Sequence, residues 1–192
     1  MHALRSSVVL FPLLAVAMLG LSSSARAQDQ TIAPKPLNLT ASLVLTPEFC
    51  ATVDKKHNEK FAVGKTACAQ LEPALSKIFA KLTSVDDASK AADAQLVLEP
   101  RFSEVGGTEK AFAFSTRELV ILVEWTVRDR EGKVLMLDTV QGTGKRHMGN
   151  AFTYKNNLKH ILEDTTSDMA EQSAQKIATA PALVKLSAAP VK

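Results

Sequence analysis

Two cysteines, Cys50 and Cys68, carry the most tightly constrained chemistry in this 192-residue chain. Two thiols allow one intramolecular pairing, and in an oxidising compartment that pairing is a disulfide closing about 18 residues of chain. The competing use leaves Cys68 as a small buried apolar side chain on a helix stripe and Cys50 as a free thiol. The histidines are His2, His57, His147 and His160; none stands at H-x-x-x-H spacing and no C-x-x-C occurs, so no metal site is expected. Gly142-Thr143-Gly144-Lys145-Arg146-His147 combines glycine-loosened backbone with three basic side chains. Such a loop could hold an anion, for example a phosphate, a glycan acid or a lipid headgroup, and the plain alternative is a solvated connector. Val63-Gly64-Lys65-Thr66 looks like the end of a phosphate-binding loop, but Glu59 stands where another glycine is required and no apolar strand leads into it. Asn38-Leu39-Thr40 matches a glycosylation acceptor but falls inside an expected strand. With no G-x-S-x-G elbow and no nucleotide motif, no catalytic residue and no cofactor is assigned, and the chain is read as a non-enzyme.

The amino terminus explains where such cysteines would be oxidised. Residues 1–27 have a short basic start (His2, Arg5), an apolar run from Val8 to Leu21, and the small-x-small triplet Ala25-Arg26-Ala27, the pattern of a cleaved signal peptide. The apolar run, about 14 residues, is shorter than the roughly 20 that a bilayer-crossing helix needs, so no stable membrane insertion is expected. Gln28, not a cysteine, follows the cleavage point, which argues against a lipid anchor. Cleavage removes Arg5 and Arg26 from the 23 basic residues and none of the 20 acidic ones, leaving the remainder close to neutral. That balance excludes a nucleic-acid partner recognised by a concentrated basic face. The expected location is the periplasm or the exterior.

Positioning falls to the elements that follow an extended leader, 28–36. Leu37, Leu39, Ala41, Leu43 and Leu45 alternate with Asn38, Thr40, Ser42 and Val44, a half-buried strand. A long connection runs from Pro47 to Gly64. The stripe Cys68, Leu71, Leu75, Ile78, Phe79 and Leu82 predicts helix one within Thr66–Leu82. Pro73 either kinks it or, in the favoured version, occupies the first turn of a regular helix starting near Glu72. Ala94–Phe102 predicts a second strand, closed by a turn or bulge at Gly106-Gly107. The strongest signal is the hairpin, strands at about Arg117–Asp129 and Lys133–Gly142 around Arg130 to Gly132. Leu119, Ile121, Val123, Trp125 and Val127 share its inner face, and the less regular second strand is read as the more central one. After the glycine-punctuated basic loop a second helix spans Tyr154 to Ala178, ended by Pro181, and 181–192 is read as a flexible tail.

The expected fold is therefore α+β, a single domain over 37–180 with a four-stranded, mostly antiparallel sheet and two helices packed on one face. Strand Leu37–Leu45, the stripe Leu71–Leu82 and Ala92-Asp93-Ala94-Gln95-Leu96-Val97-Leu98 leading into the hairpin resemble small α+β domains of bacterial envelope proteins. Examples are the amino-terminal domain of the Tol-system translocation protein and the lipoprotein activators of penicillin-binding proteins. The resemblance implies an exported accessory module that binds an envelope protein or cell-wall partner through a sheet edge or face, and it carries over no site residue. The second expectation is a periplasmic carrier of an apolar or lipid ligand held between sheet and helices.

Overall fold

Leucines alternating after Pro36 build β1, Leu37–Val44, which turns Leu37, Leu39, Ala41 and Leu43 inward, each at most 4% exposed. This computed structural model describes residues 35–54, 62–91, 93–108, 115–150 and 152–189. Residues 1–27, expected as a signal peptide, most of the leader, His57, Phe112 and Phe114 lie outside them. Thr46 ends β1 and caps the short helix α1, Pro47–Cys50, its hydroxyl accepting from the Phe49 amide at 3.2 Å. Then come α2 (Val63–Ser76), β2 (Phe79–Val85), a single 3-10 turn at Ala88–Lys90, β3 (Leu96–Thr108), β4 (Thr116–Asp129), β5 (Val134–His147), α3 (Tyr154–Thr179) and α4 (Pro181–Ser187).

The strands form one mixed sheet in the order β2-β1-β3-β4-β5. β1 runs parallel to both of its neighbours, and β3, β4 and β5 form an antiparallel meander. Parallel neighbours need a crossover, and α2 supplies it between β1 and β2. The β4–β5 turn contains Gly132 at φ 83, a left-handed conformation that glycine adopts without strain. α2 and α3 pack against each other over a single face of the sheet, and the core lies between them and the inner residues of the strands. Trp125 is wholly buried there, its indole N–H donating to Ser173 Oγ at 2.9 Å. Phe49 of α1 stacks on Phe102 of β3 with ring centroids 4.3 Å apart.

Several expectations need correction. The sheet has five strands, because Phe79–Val85, of which Phe79–Leu82 is expected as the end of helix one, is the parallel strand β2. Ile78, Phe79 and Leu82 fit both periods, and the chain leaves the helix at Lys77 so that Phe79 can bury beside Leu37. The helix itself starts at Val63, not near Glu72, and holds Pro73 in its interior. Pro73 and Ala69, whose carbonyl loses its intrahelical donor, are both exposed, so water can replace the missing bond. Gly106 and Gly107 lie within β3, whose irregularity falls between Phe102 and Glu104. β5 is an edge strand, not a central one. Residues 181–187 are the helix α4, not a flexible tail: Leu183 is fully buried, and Ser187 Oγ accepts from the Asn38 amide at 2.8 Å.

Candidate binding face

Glycines 142 and 144 show why the expected anion loop is a strand. They alternate along β5 with outward-facing residues, so both point at α3. A Cβ on Gly142 would overlap Met169 and the Thr165 carbonyl, and one on Gly144 would overlap the Thr165 hydroxyl. Their missing side chains let α3 lie directly on the sheet. Arg146, on the same inner face, is held by Asp164 of α3 at 2.7 Å, while Lys145 and His147 alternate to the solvent side. Gly142, Gly144 and Arg146 thus form a helix seat, and the loop expected to wrap an anion is corrected to the end of β5. His160 pairs with Glu163 at 3.3 Å on α3, far in sequence from His147.

Cys50 and Cys68 are joined by a disulfide, their Cα atoms 5.9 Å apart. The bond ties the end of α1 to the first turns of α2. Gly64, one turn earlier, sits so close to the backbone of Phe49 and Cys50 that no side chain would fit. Gly64 and Thr66 therefore belong to helix packing and not to a phosphate loop.

Among the described residues, the opposite face of the sheet carries no helix across β3, β4 and β5. Glu99 and Arg128 pair there at 2.9 Å and Arg101 and Glu124 at 3.1 Å, cross-strand ladders suited to a face in contact with water. Val134 and Leu137 add exposed apolar surface, Leu137 being 67% exposed. The outer edge of β5 is guarded. Asp138 accepts from the Thr139 amide at 2.9 Å and pairs with Lys176 at 3.0 Å, and Asp168 accepts from the Thr143 amide at 2.8 Å. Carboxylates seated on outward amides obstruct the addition of another strand. Near the start of β5, a cleft of about 330 Å³ opens between Leu135–Asp138 and Lys176–Ala182.

No family model matches the chain, and no curated protein matches it. Among solved structures, protein XCC0632 from Xanthomonas campestris, of the DUF330 family, superposes with a TM-score of 0.51 at 7% identity, over 74% of this chain and 87% of that one. The fold is therefore shared with that protein. A minor lipoprotein from Acinetobacter baumannii gives 0.47 at 16% identity, covering 74% of this chain and 92% of its own. A candidate lipoprotein from Caulobacter crescentus CB15 gives 0.46 at 13%, covering 72% and 88%. Two of these three are lipoproteins by name; the expected likeness to the Tol-system domain and the penicillin-binding-protein activators is not among these findings.

A second concavity, of about 250 Å³, lies on the uncovered side of β1 and β2 beneath the segment that follows β2. Its residues Ser42, Lys81 and Thr83 escaped the sequence reading because Lys81 and Thr83 were placed in or just after helix one. The available signal was Lys81, Thr83 and Val85 alternating with Leu82 and Ser84. Among the described residues no group of three or more His, Cys, Asp or Glu is placed to hold a metal, and no helix is long and apolar enough to cross a membrane.

Proposed function

We propose that this chain is an exported accessory module of the bacterial envelope, without catalytic activity, that holds a protein partner against the uncovered face of its sheet. The observation that carries this is the one-sided layer: α2 and α3 bury the inner face, while the outer face of β3, β4 and β5 presents paired charges beside exposed Val134 and Leu137. A polar rim around accessible apolar side chains is the composition of a non-obligate interface. The guarded β5 edge favours the face over strand addition. Export is supported by the signal-like segment 1–27 and by a disulfide that needs an oxidising compartment.

The carrier alternative has less support, because Trp125, Ile121, Met169 and Ile161 already fill the layer between sheet and helices. Photo-crosslinking residues at Leu137 and Thr126, with Glu171 on the outer side of α3 as control, test the proposal in intact cells. One crosslinked protein from the two sheet positions and none from Glu171 is expected. Crosslinks from Glu171 alone, or co-purifying lipid whose removal changes Trp125 fluorescence, would overturn it in favour of the carrier.

A further inference from the structure

Ser42 is out of place for a simple sheet face. Its neighbours Ala41 and Leu43 point into the core, so Ser42 belongs to the side away from the helices, yet it is only 6% exposed. The segment after β2 roofs it through Lys90, Asp93 and Ala94, over the outer side of β1 and β2. Gln95 ties that segment to β1, and the Lys90–Asp86 pair braces it internally. Lys90 donates to both oxygens of Asp86, and Gln95 Oε1 accepts from the Thr40 amide at 2.9 Å. Between this cover and the strands remains the 250 Å³ concavity, lined by Ser42, Lys81 and Thr83 from the sheet and by Lys90 and Asp93 from above.

Its polar groups are largely unspent. Thr40 is engaged by Gln95 and Lys90 by Asp86, but Ser42 and Thr83 make no side-chain hydrogen bond and Lys81 and Asp93 no ion pair among the described residues. Ser42 Oγ is not among the sealed, unpartnered polar atoms, and Lys81, Thr83 and Asp93 are exposed, so a ligand entering the concavity can reach all four. The volume holds several waters or one ring-sized molecule, and lies just below the usual range for larger ligands. Two hydroxyl donors and the Lys81 ammonium converge on one side, a setting for an oxyanion. Asp93 would repel a bare anion and so favours a ligand that also offers a hydroxyl.

We propose that this cavity binds a small hydroxylated oxyanion, a sugar acid or sugar phosphate, with the anion against Lys81, Ser42 and Thr83 and a ligand hydroxyl donating to Asp93. The site does not depend on the protein-binding face across β3 to β5, and either can fail alone. The ligand chemistry is the same whether it arrives as a free metabolite or as a residue of a cell-wall glycan.

The test is a titration of the whole purified chain with glucuronate and glucose 6-phosphate at constant ionic strength, followed by amide shifts at 40–44, 81–85 and 90–94. Both acids should move those signals. Neutral glucose and inorganic phosphate should bind about tenfold more weakly or worse, since each lacks one of the paired interactions. Ser42→Ala and Lys81→Met should each weaken glucuronate by about tenfold, with Lys159→Met on α3 as an unaffected charge control. Asp93→Asn should narrow the gap between glucuronate and phosphate. An oligosaccharide of the acid that binds more tightly than the monomer assigns the ligand to a glycan, and equal binding assigns it to the free acid. Absence of shifts with either acid, glucose or phosphate binding as well as the acids, or full binding by both Ser42→Ala and Lys81→Met would overturn the proposal.

Discussion

Trp125 shows how much a single side chain contributes to this layer. It is fully buried and its one polar atom is satisfied by Ser173, whose hydroxyl also donates to the Met169 carbonyl at 2.7 Å. Trp125→Ala should cost about 3 to 5 kcal/mol in chemical denaturation, and native emission should be blue-shifted from that of aqueous tryptophan. A smaller loss or water-like emission would contradict the buried indole. Gly144→Ala places a methyl where the Thr165 hydroxyl and Ile161 carbonyl already sit, so it should cost about 1 to 3 kcal/mol or force α3 away from β5. Arg146→Met should by contrast change stability by about 1 kcal/mol or less, because its ion pair with Asp164 is half exposed. Reading these residues as an anion loop missed a clue in the spacing. Gly142 and Gly144 are two apart, the period of a strand, and loop chemistry was inferred from composition where period was the better guide.

At the level of elements, strong periodicity was legible and short or dual-period segments were not. β4 and α3 lie within a residue of expectation, Thr116–Asp129 against Arg117–Asp129 and Tyr154–Thr179 against Tyr154–Ala178, whereas β5 runs beyond the expected Gly142 to His147. The start of β2 was absorbed into helix one because its first residues, Phe79–Leu82, satisfy both templates. α4 was missed because Pro181 signals a helix end equally well as the first residue of the next helix, and it is both here. Leu183→Ala should cost about 2 to 5 kcal/mol in a melt, a loss that a flexible tail could not produce. Cys50→Ser with Cys68→Ser should lower stability by about 3 kcal/mol, the chain-entropy value for a loop of this size. Alkylation of the unreduced, denatured protein should find neither thiol; labelling at both would refute the bridge.

For the molecule as a whole, sequence conveyed class and side but not the site. A one-sided sheet follows from inward alternation, whereas the cover over Ser42 arises from a fold-back between distant residues that no periodicity records. That cover is also where acid should act first. Lys90 holds the Asp86 carboxyl, and Ser89 the Asp87 carboxyl, below the ordinary 3.8, while Asp86 raises Lys90 above 10.5. Depressed carboxylates contribute at neutral pH and lose that contribution as pH falls through their lowered values; the raised lysine loses its contribution only as pH climbs past its own. Protection factors at 88–90, which remove the intrinsic slowing of exchange in acid, should therefore fall at low pH before those in β4 do, and a simultaneous fall would show that the pair does not hold the cover. Residues 37–44 carry a different consequence. They are the first of the described strands but an interior strand of the finished sheet, and both flanking strands come later in sequence. Any process that delivers the chain from its amino end leaves a leucine-rich ribbon with two bare edges waiting for its neighbours. Until β2 and β3 arrive, that ribbon is the stretch of the sheet most open to pairing with another chain.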